Sequence, residues 1–300
     1  MKRFLFSCCC FGSLLAILLA ASLIWRIAAQ QPALRDSLTL RPDQSVLFVG
    51  DSHIGCTFVE APRFHNRVLW ASSLPQQFTL MRLLDMERLG TLAPVRTLVL
   101  DIGLQSFGQQ DHSRLNELTF RSLGFAWRHL DRLPFDRELF LLYLIPHLTA
   151  PMHLVEPPPT QTISILDQSP ERRQKEFQDT ANLHFNWSSR PNAMAPNWQT
   201  SLKKTILEIQ ALCTRHNIRL VFFTAPLTSY YRQAIPPELE NLLQHFADFI
   251  RAQGIPYYDL RDWCDDRDFF DSFHLTRPAA GRFTERFYRD ILHAPLDNTL

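Results

Sequence analysis

The sequence predicts an α/β fold in which a parallel β-sheet lies between layers of helices. Two observations lead to this prediction. Short runs of consecutive apolar residues alternate with longer segments of helical periodicity, and apolar residues make up 46% of the chain. An unbroken apolar run is typical of a strand buried on both faces, and strand–helix alternation is typical of parallel βαβ units. The predicted architecture is therefore a three-layer α/β/α sandwich with a large buried core.

The first half of the chain contains three of the five predicted strands. Residues 46–49 form an apolar run, and residues 67–71 and 95–100 are similar runs. Between the last two, residues 78–90 have apolar positions at roughly helical spacing and end at Gly90, a residue suited to a helix C-terminus. This segment is therefore predicted to be a crossover helix.

The second half of the chain continues the alternation of strands and helices after a segment of different composition. Residues 115–144 have a helical pattern interrupted at Pro134, and residues 146–197, rich in Pro, Gln, Ser and Asn, are predicted to be a long irregular insertion. Helices are predicted at 198–217, 239–253 and 278–293, and the last two strands at 218–224 and 255–259. Ligands of such sheets bind beyond the carboxyl ends of the strands, so functional residues are expected just after a strand.

The N-terminal segment predicts a membrane anchor. Residues 4–25 carry no charge, and the run is long enough to cross a bilayer as one helix. Two basic residues precede it, which in a bacterial cell favours a single-pass protein of the inner membrane with its N-terminus inside. We expect an anchor at 1–27, a polar stalk at 28–45 and an extracytoplasmic domain at 46–300. A cleaved signal peptide is the alternative, although the run exceeds the usual length of a signal core.

Charge and residue spacing exclude several classes of function. The 31 Lys and Arg residues balance 30 Asp and Glu residues, and no long basic block is present, so nucleic-acid binding is not expected. The His and Cys residues lack the spacing of metal ligands, and we predict neither a metal nor a cofactor. Three of the six cysteines lie outside the apolar segment and leave a disulfide open: Cys56, Cys213 and Cys264.

Two short segments carry candidate chemistry. Gly50-Asp51-Ser52 follows the first predicted strand, where a tight turn into a helix would expose the serine hydroxyl near backbone N–H groups. A serine nucleophile needs a base that is oriented by a third group, and Asp271 and His274, three positions apart before the last helix, could supply both. Each segment also has an ordinary explanation, as a turn with a helix cap and as a surface histidine.

Residues 50–53 (Gly-Asp-Ser-His) and 271–275 (Asp-Ser-Phe-His-Leu) together resemble the first and last motif blocks of the SGNH/GDSL hydrolase superfamily. The resemblance implies a flavodoxin-like five-stranded parallel sheet. It also implies a catalytic triad of Ser52, His274 and Asp271.

The middle blocks of this superfamily are altered here. A Gly after the second strand and an Asn after the third normally complete the oxyanion hole. Ser73 stands roughly where the Gly would be, and its N–H can still donate. No Asn follows the third strand, where Gln105 or Ser106 could substitute. Because loss of one oxyanion donor lowers the rate roughly 100- to 1000-fold, a slow or degenerate enzyme is also consistent with the sequence.

The anchor, the insertion and the C-terminal segments resemble one branch of the superfamily. Its members are membrane-tethered extracytoplasmic proteins that act with membrane-bound O-acyltransferases in alginate O-acetylation and teichoic-acid D-alanylation. The resemblance implies an O-acyltransferase or esterase acting on an O-acylated glycan or envelope polymer, with such a membrane enzyme as partner. The alternative is a catalytically degenerate protein that binds glycan or scaffolds the partner. The acyl donor and acceptor stay open.

Overall fold

The computed structural model describes residues 38–50, 52–70, 76–103, 162–185 and 198–293, with scattered positions between 13 and 36. The chain divides into two compact units, and the elements below belong to the unit formed by Leu40–Gln109 and Glu156–Leu300. The predicted helix at 115–144 and most of the predicted anchor lie outside the described residues. Within the described part of the chain, no helix has the length and apolarity needed to cross a membrane.

The described residues contain a five-stranded, all-parallel sheet, which confirms the predicted α/β class. The strand order is β2-β1-β3-β4-β5, so the chain first adds a strand on one side of β1 and then crosses to the other. Each predicted strand overlaps an observed one. The strands are β1 (Val46–Gly50), β2 (Asn66–Trp70), β3 (Thr97–Asp101), β4 (Arg219–Thr224) and β5 (Tyr257–Asp259).

Seven α-helices lie within the described ranges. They are α1 (Ser52–Thr57), α2 (Gln76–Leu89), α3 (Pro170–Phe185), α4 (Trp198–Arg215), α5 (Ser229–Gln233), α6 (Pro237–Ala252) and α7 (Arg277–Phe287). A π-helical turn, Tyr288–Leu292, continues α7. The predicted helices at 78–90, 198–217, 239–253 and 278–293 correspond to α2, α4, α6 and α7.

Helix α3 lies in the stretch predicted to be irregular. Its start has recognisable local signals, because the Ser169 hydroxyl accepts a hydrogen bond from the N–H of Arg172 and Pro170 occupies the first turn. The helix is rich in Glu, Arg, Lys and Gln, which favour helix formation without an apolar stripe. The prediction from apolar periodicity missed α3 for this reason.

One core cluster joins the sheet to the two helices that flank the candidate site. Phe48 of β1 stacks on Phe58, directly after α1, with ring centroids 3.8 Å apart, and Phe58 meets Phe287 of α7 edge-on at 5.0 Å. Phe223 of β4 also contacts Phe58 and Phe287. All four rings are almost fully buried, and burial of each contributes roughly 1.5–3 kcal/mol. This packing fixes α1 and α7 against the same strands.

The strands are buried on their other face as well. Leu47 and Phe222 directly precede Phe48 and Phe223 and therefore point to the opposite face, and Leu98 pairs with Leu47. The side chains of Leu47, Leu98 and Phe222 are at most 1% exposed. Helix α2 contacts β1 and α4, and α4 contacts β4. Burial on both faces explains why the strands have unbroken apolar runs instead of alternating patterns.

Candidate active site

The candidate site begins at the turn from β1 into α1. A Cβ atom on Gly50 would lie 2.5 Å from Cγ1 of Ile54, a fully buried residue of α1. Only glycine therefore allows the helix to pack this closely on the end of its own strand. The turn starts α1 at Ser52, at the carboxyl end of β1, which lies inside the sheet. Asp51, between the two, lies outside the described residues.

Ser52, His274 and Asp271 form a continuous chain of hydrogen bonds. The Ser52 Oγ lies 3.0 Å from Nε2 of His274, and Nδ1 of His274 lies 2.7 Å from Oδ2 of Asp271. Because an ionised carboxylate only accepts, Nδ1 carries the proton and Nε2 is left to accept from the serine. The side chains of His274 and Asp271 are 13% and 20% exposed. The chain of groups is therefore sheltered but still reachable from solvent.

Hydrogen bonds within the short loop before α7 fix Asp271 relative to His274. The N–H groups of Phe273 and His274 donate to Oδ1 of Asp271 at 3.0 and 2.7 Å. The N–H of Phe270 donates to the carbonyl of His274 at 3.0 Å, which closes the loop. Both oxygens of the carboxylate are thus occupied by hydrogen bonds. The Asp271 carboxylate is held in one orientation relative to the imidazole.

Aromatic side chains surround the imidazole. The ring of Phe270 stacks on His274 at 5.6 Å between centroids, and Phe273 contacts it at 4.1 Å. His53, the neighbour of Ser52, is 4% exposed, stacks on Phe273 at 4.8 Å and meets His274 edge-on at 5.4 Å. These rings limit rotation of the imidazole, so its Nε2 stays directed at the serine.

A second set of residues holds the loop from outside. Ser272, fully buried between Asp271 and Phe273, donates its N–H and its hydroxyl to Glu176 of α3. Its carbonyl accepts from the N–H and the hydroxyl of Thr228. Sequence reasoning missed Glu176, because only tertiary packing relates α3 to this loop. The local signals at Ser169 and Pro170 could have revealed the helix but not this contact.

The residues predicted for the oxyanion hole lie outside the described part of the chain: Ser73, Gln105 and its alternative Ser106. At the end of β3 the structure describes Asp101, which is 2% exposed and accepts the N–H of Ala225 at 3.3 Å. This contact ties the carboxyl ends of β3 and β4 together beside the candidate site. Among the described residues, no group of three or more His, Cys, Asp and Glu side chains could hold a metal ion.

The arrangement has the parts required for nucleophilic catalysis. A hydroxyl faces an imidazole nitrogen that can accept its proton, and the opposite nitrogen is bound to a carboxylate that stabilises the resulting cation. No model of a known protein family matches the chain, and no curated protein sequence matches it either. The geometry of the site and the residues that form it therefore carry the functional argument.

Proposed function

We propose that the chain is a serine-dependent acyl-ester enzyme, an O-acyltransferase or esterase. One observation carries the proposal: the hydrogen-bond chain from Ser52 through His274 to Asp271. The serine and the histidine are 222 positions apart in sequence, so a local turn does not explain their meeting. Their place at the carboxyl end of a strand inside a parallel sheet is where such sheets bind ligands.

In the proposed reaction, Ser52 Oγ attacks the carbonyl carbon of an ester as His274 Nε2 takes the hydroxyl proton. The resulting imidazolium is stabilised by Asp271. The tetrahedral oxyanion then collapses, the bond to the leaving oxygen breaks, and His274 returns the proton to that oxygen. An acyl group is left on Ser52. A water molecule or an acceptor hydroxyl repeats the sequence in reverse, which gives an acid or a new ester.

The strand order supports a finer assignment of the fold. The order 2-1-3-4-5 is that of flavodoxin-like doubly wound sheets, which bind ligands where the strand order reverses, between β1 and β3. Together with the motifs at 50–53 and 271–275, it favours membership of the SGNH/GDSL superfamily and a three-layer α/β/α sandwich. We propose this domain for residues 46–300. Ser73 and Gln105 remain its proposed oxyanion donors.

We further propose that residues 1–27 anchor this domain to the outer face of the inner membrane. The uncharged segment 4–25 supports this placement. Ile24 and Trp25 expose 66% and 65% of their surface, as lipid-facing side chains would. The proposed substrate is an O-acylated envelope glycan or polymer, and the proposed partner is a membrane-bound O-acyltransferase. Full-length protein sedimenting with membranes would support the anchor, and a shortened soluble product would refute it.

A serine-directed fluorophosphonate tests the nucleophile directly. We expect the reagent to label the full-length protein in detergent. Ser52→Ala should abolish labelling, because Ser52 supplies the hydroxyl that lies 3.0 Å from His274 Nε2. Ser201→Ala, an exposed serine of α4, is the matched control and should label like the wild type. Labelling would be read by mass spectrometry of the modified peptide.

Two results would contradict the proposal. Labelling that persists in Ser52→Ala would place the nucleophile elsewhere. A folded wild-type protein that resists the reagent would favour the non-catalytic alternative, a glycan-binding or scaffolding protein. If Ser52 is labelled, an activated acetyl ester with an added sugar acceptor separates the two activities, since transfer yields an acetylated sugar and hydrolysis yields acetate.

A further inference from the structure

We infer that Glu176 is a positioning residue for the proposed catalytic triad, acting through Ser272 to hold Asp271 and His274 in place. The inference rests on the proposed function and extends it to a residue outside the recognised motifs. Glu176 lies on α3, about a hundred positions before the loop it contacts, and its carboxylate accepts both hydrogen-bond donors of Ser272. The N–H lies 3.2 Å from Oε1, and the hydroxyl lies 2.6 Å from Oε2.

Each of the two peptide groups that flank Ser272 is held by a different residue. The N–H of Ser272 belongs to the peptide that joins it to Asp271, and Glu176 holds this peptide. The carbonyl of Ser272 belongs to the peptide that joins it to Phe273, and Thr228 holds this one through its N–H at 3.2 Å and its hydroxyl at 2.8 Å. Loss of the hydrogen bonds to either Glu176 or Thr228 therefore frees the backbone at Ser272 to rotate.

The orientation of the Ser272 backbone determines the orientation of the Asp271 carboxylate. The same Ser272–Phe273 peptide presents the N–H that donates to Oδ1 of Asp271. Rotation about Ser272 therefore moves both the backbone of Asp271 and one of the donors that fix its carboxylate. Since Oδ2 of Asp271 orients the imidazole of His274, the displacement passes to the nitrogen that faces Ser52. A displacement on the order of 1 Å at such a site can slow a reaction about 100-fold.

The segment that leads into α3, which carries Glu176, is itself hydrogen-bonded to the loop before α7. Ahead of α3, the N–H of Ile165 donates to the carbonyl of Phe269 at 2.7 Å, and the side chain of Gln168 donates to the carbonyl of Phe270 at 3.0 Å. Three points of one segment thus contact consecutive parts of the loop that precedes α7. The hydrogen bond from Ser272 to Glu176 is therefore one of several contacts that hold this segment along the loop.

A carboxylate suits this position better than an amide. Glu offers two acceptor oxygens to two donors, whereas Gln offers one acceptor oxygen and one amide NH2 group, a donor that would face another donor. Tyr230 adds a third contact, its hydroxyl lying 3.4 Å from Oγ of Ser272. Burial raises the pKa of Tyr230, so this group stays a neutral hydroxyl that can donate. Ser272 can therefore accept from Tyr230 while it donates to Glu176.

The test compares two acidic residues of the same helix in the full-length protein. Glu176→Ala and Glu176→Gln are paired with Asp179→Ala and Asp179→Asn, which alter an exposed carboxylate three positions away. The saturating rate constant for labelling of Ser52 by a fluorophosphonate should fall about tenfold or more in Glu176→Ala, and less in Glu176→Gln. The reagent's half-saturation concentration should stay unchanged, because the inference concerns orientation and not reagent binding. The Asp179 variants should react at the wild-type rate.

A second readout separates failure of this inference from failure of the proposed function. The proton shared by Nδ1 of His274 and Asp271 should give a downfield proton resonance, assigned by its loss in His274→Gln. Glu176→Ala should weaken or shift it, whether or not Ser52 reacts with the reagent. Wild-type labelling rates and an unchanged resonance in Glu176→Gln and Glu176→Ala would overturn the inference. If Glu176→Ala does not fold, Glu176→Gln decides by the same two measurements.

Discussion

At the scale of single residues, Asp271 has two separate tasks. Its Oδ1 accepts two backbone N–H groups and thereby shapes the loop, while its Oδ2 binds Nδ1 of His274. The first task requires only an acceptor, but the second requires a group that leaves the proton on Nδ1. A carboxylate performs both, since each of its oxygens accepts.

Replacement of Asp271 by Asn should separate these tasks. The amide oxygen can still accept from the backbone, but the amide nitrogen then faces Nδ1 and favours the imidazole tautomer with its proton on Nε2. That proton points at Ser52, so His274 can no longer act as the proposed base, while the fold is kept. We expect Asp271→Asn to lower the labelling rate of Ser52 by about 10³- to 10⁴-fold. An unchanged rate, measured alongside an unchanged thermal melt, would contradict the role of Asp271.

At the scale of secondary-structure elements, the site depends on how closely α1 packs on β1. The contact between Gly50 and Ile54 brings the start of α1 against the end of its own strand. The aromatic cluster of Phe48, Phe58 and Phe287 then joins both α1 and α7 to the sheet. The distance between Ser52 and His274 is therefore set by two helices packed on a common set of strands.

Gly50→Ala should displace α1. The added methyl group would lie 2.5 Å from Cγ1 of Ile54, and such overpacking costs about 1–3 kcal/mol of unfolding free energy. We also expect a slower reaction of Ser52, because α1 carries this proposed nucleophile. Gly281→Ala in α7 is the matched control, since no atom lies within 4 Å of its added Cβ and it should stabilise the helix by roughly 0.5–1 kcal/mol.

A double-mutant cycle identifies the cause of the loss. Ile54→Ala alone creates a cavity and should destabilise the protein, but it also removes the atom that the Gly50→Ala methyl group would meet. The combined variant should therefore lose less than the sum of the two single losses. Additive losses in urea denaturation would show that the Gly50–Ile54 contact is not the cause.

At the scale of the whole molecule, the structure buries several tyrosine and cysteine side chains, which favours their neutral forms. Burial raises the pKa of Tyr231 and Tyr288 well above the usual range. Burial also raises the pKa of Cys213 and Cys264 to about 12 each. No disulfide joins the three described cysteines, Cys56, Cys213 and Cys264.

These raised pKa values predict alkaline destabilisation. Below about pH 8 these thiols and phenols are protonated in both the folded and the unfolded chain, and their full contribution to stability is present. Above it the unfolded chain releases protons that the folded chain retains, so stability falls as pH rises towards the folded pKa values. Each such group contributes a slope of up to about 1.4 kcal/mol per pH unit. Urea denaturation from about pH 8 to about pH 11 measures this slope.

Removal of one group at a time should flatten the slope. Tyr288→Phe and Cys213→Ala each remove one proton from the difference between the two states. Tyr288→Phe should also be less stable at pH 8, because the Tyr288 hydroxyl donates to the carbonyl of Phe64 at 2.7 Å. A slope equal to that of the wild type in both variants would refute the assignment of alkaline destabilisation to these buried groups.

Much of the fold follows from local pattern. The apolar runs that form β1 and β4 are buried on both faces, and the sequence shows this without reference to distant residues. Helix α3 escaped prediction because it has no apolar stripe, although Ser169 and Pro170 mark its start. A method based on apolar periodicity detects elements that a core requires, and a polar helix at the surface is not among them.

At the candidate site, too, some features follow from local sequence and others only from the tertiary structure. The sequence by itself determined the residue types of Ser52, Asp271 and His274, and it determined that Asp271 can reach His274, since three positions in one short loop bring them together. Only the tertiary structure decided that Ser52 lies 3.0 Å from the imidazole and that Glu176 holds Ser272. The physical reason is separation along the chain. Local contacts depend on backbone geometry alone, whereas these two require the aromatic core and the parallel sheet to bring distant segments to one edge.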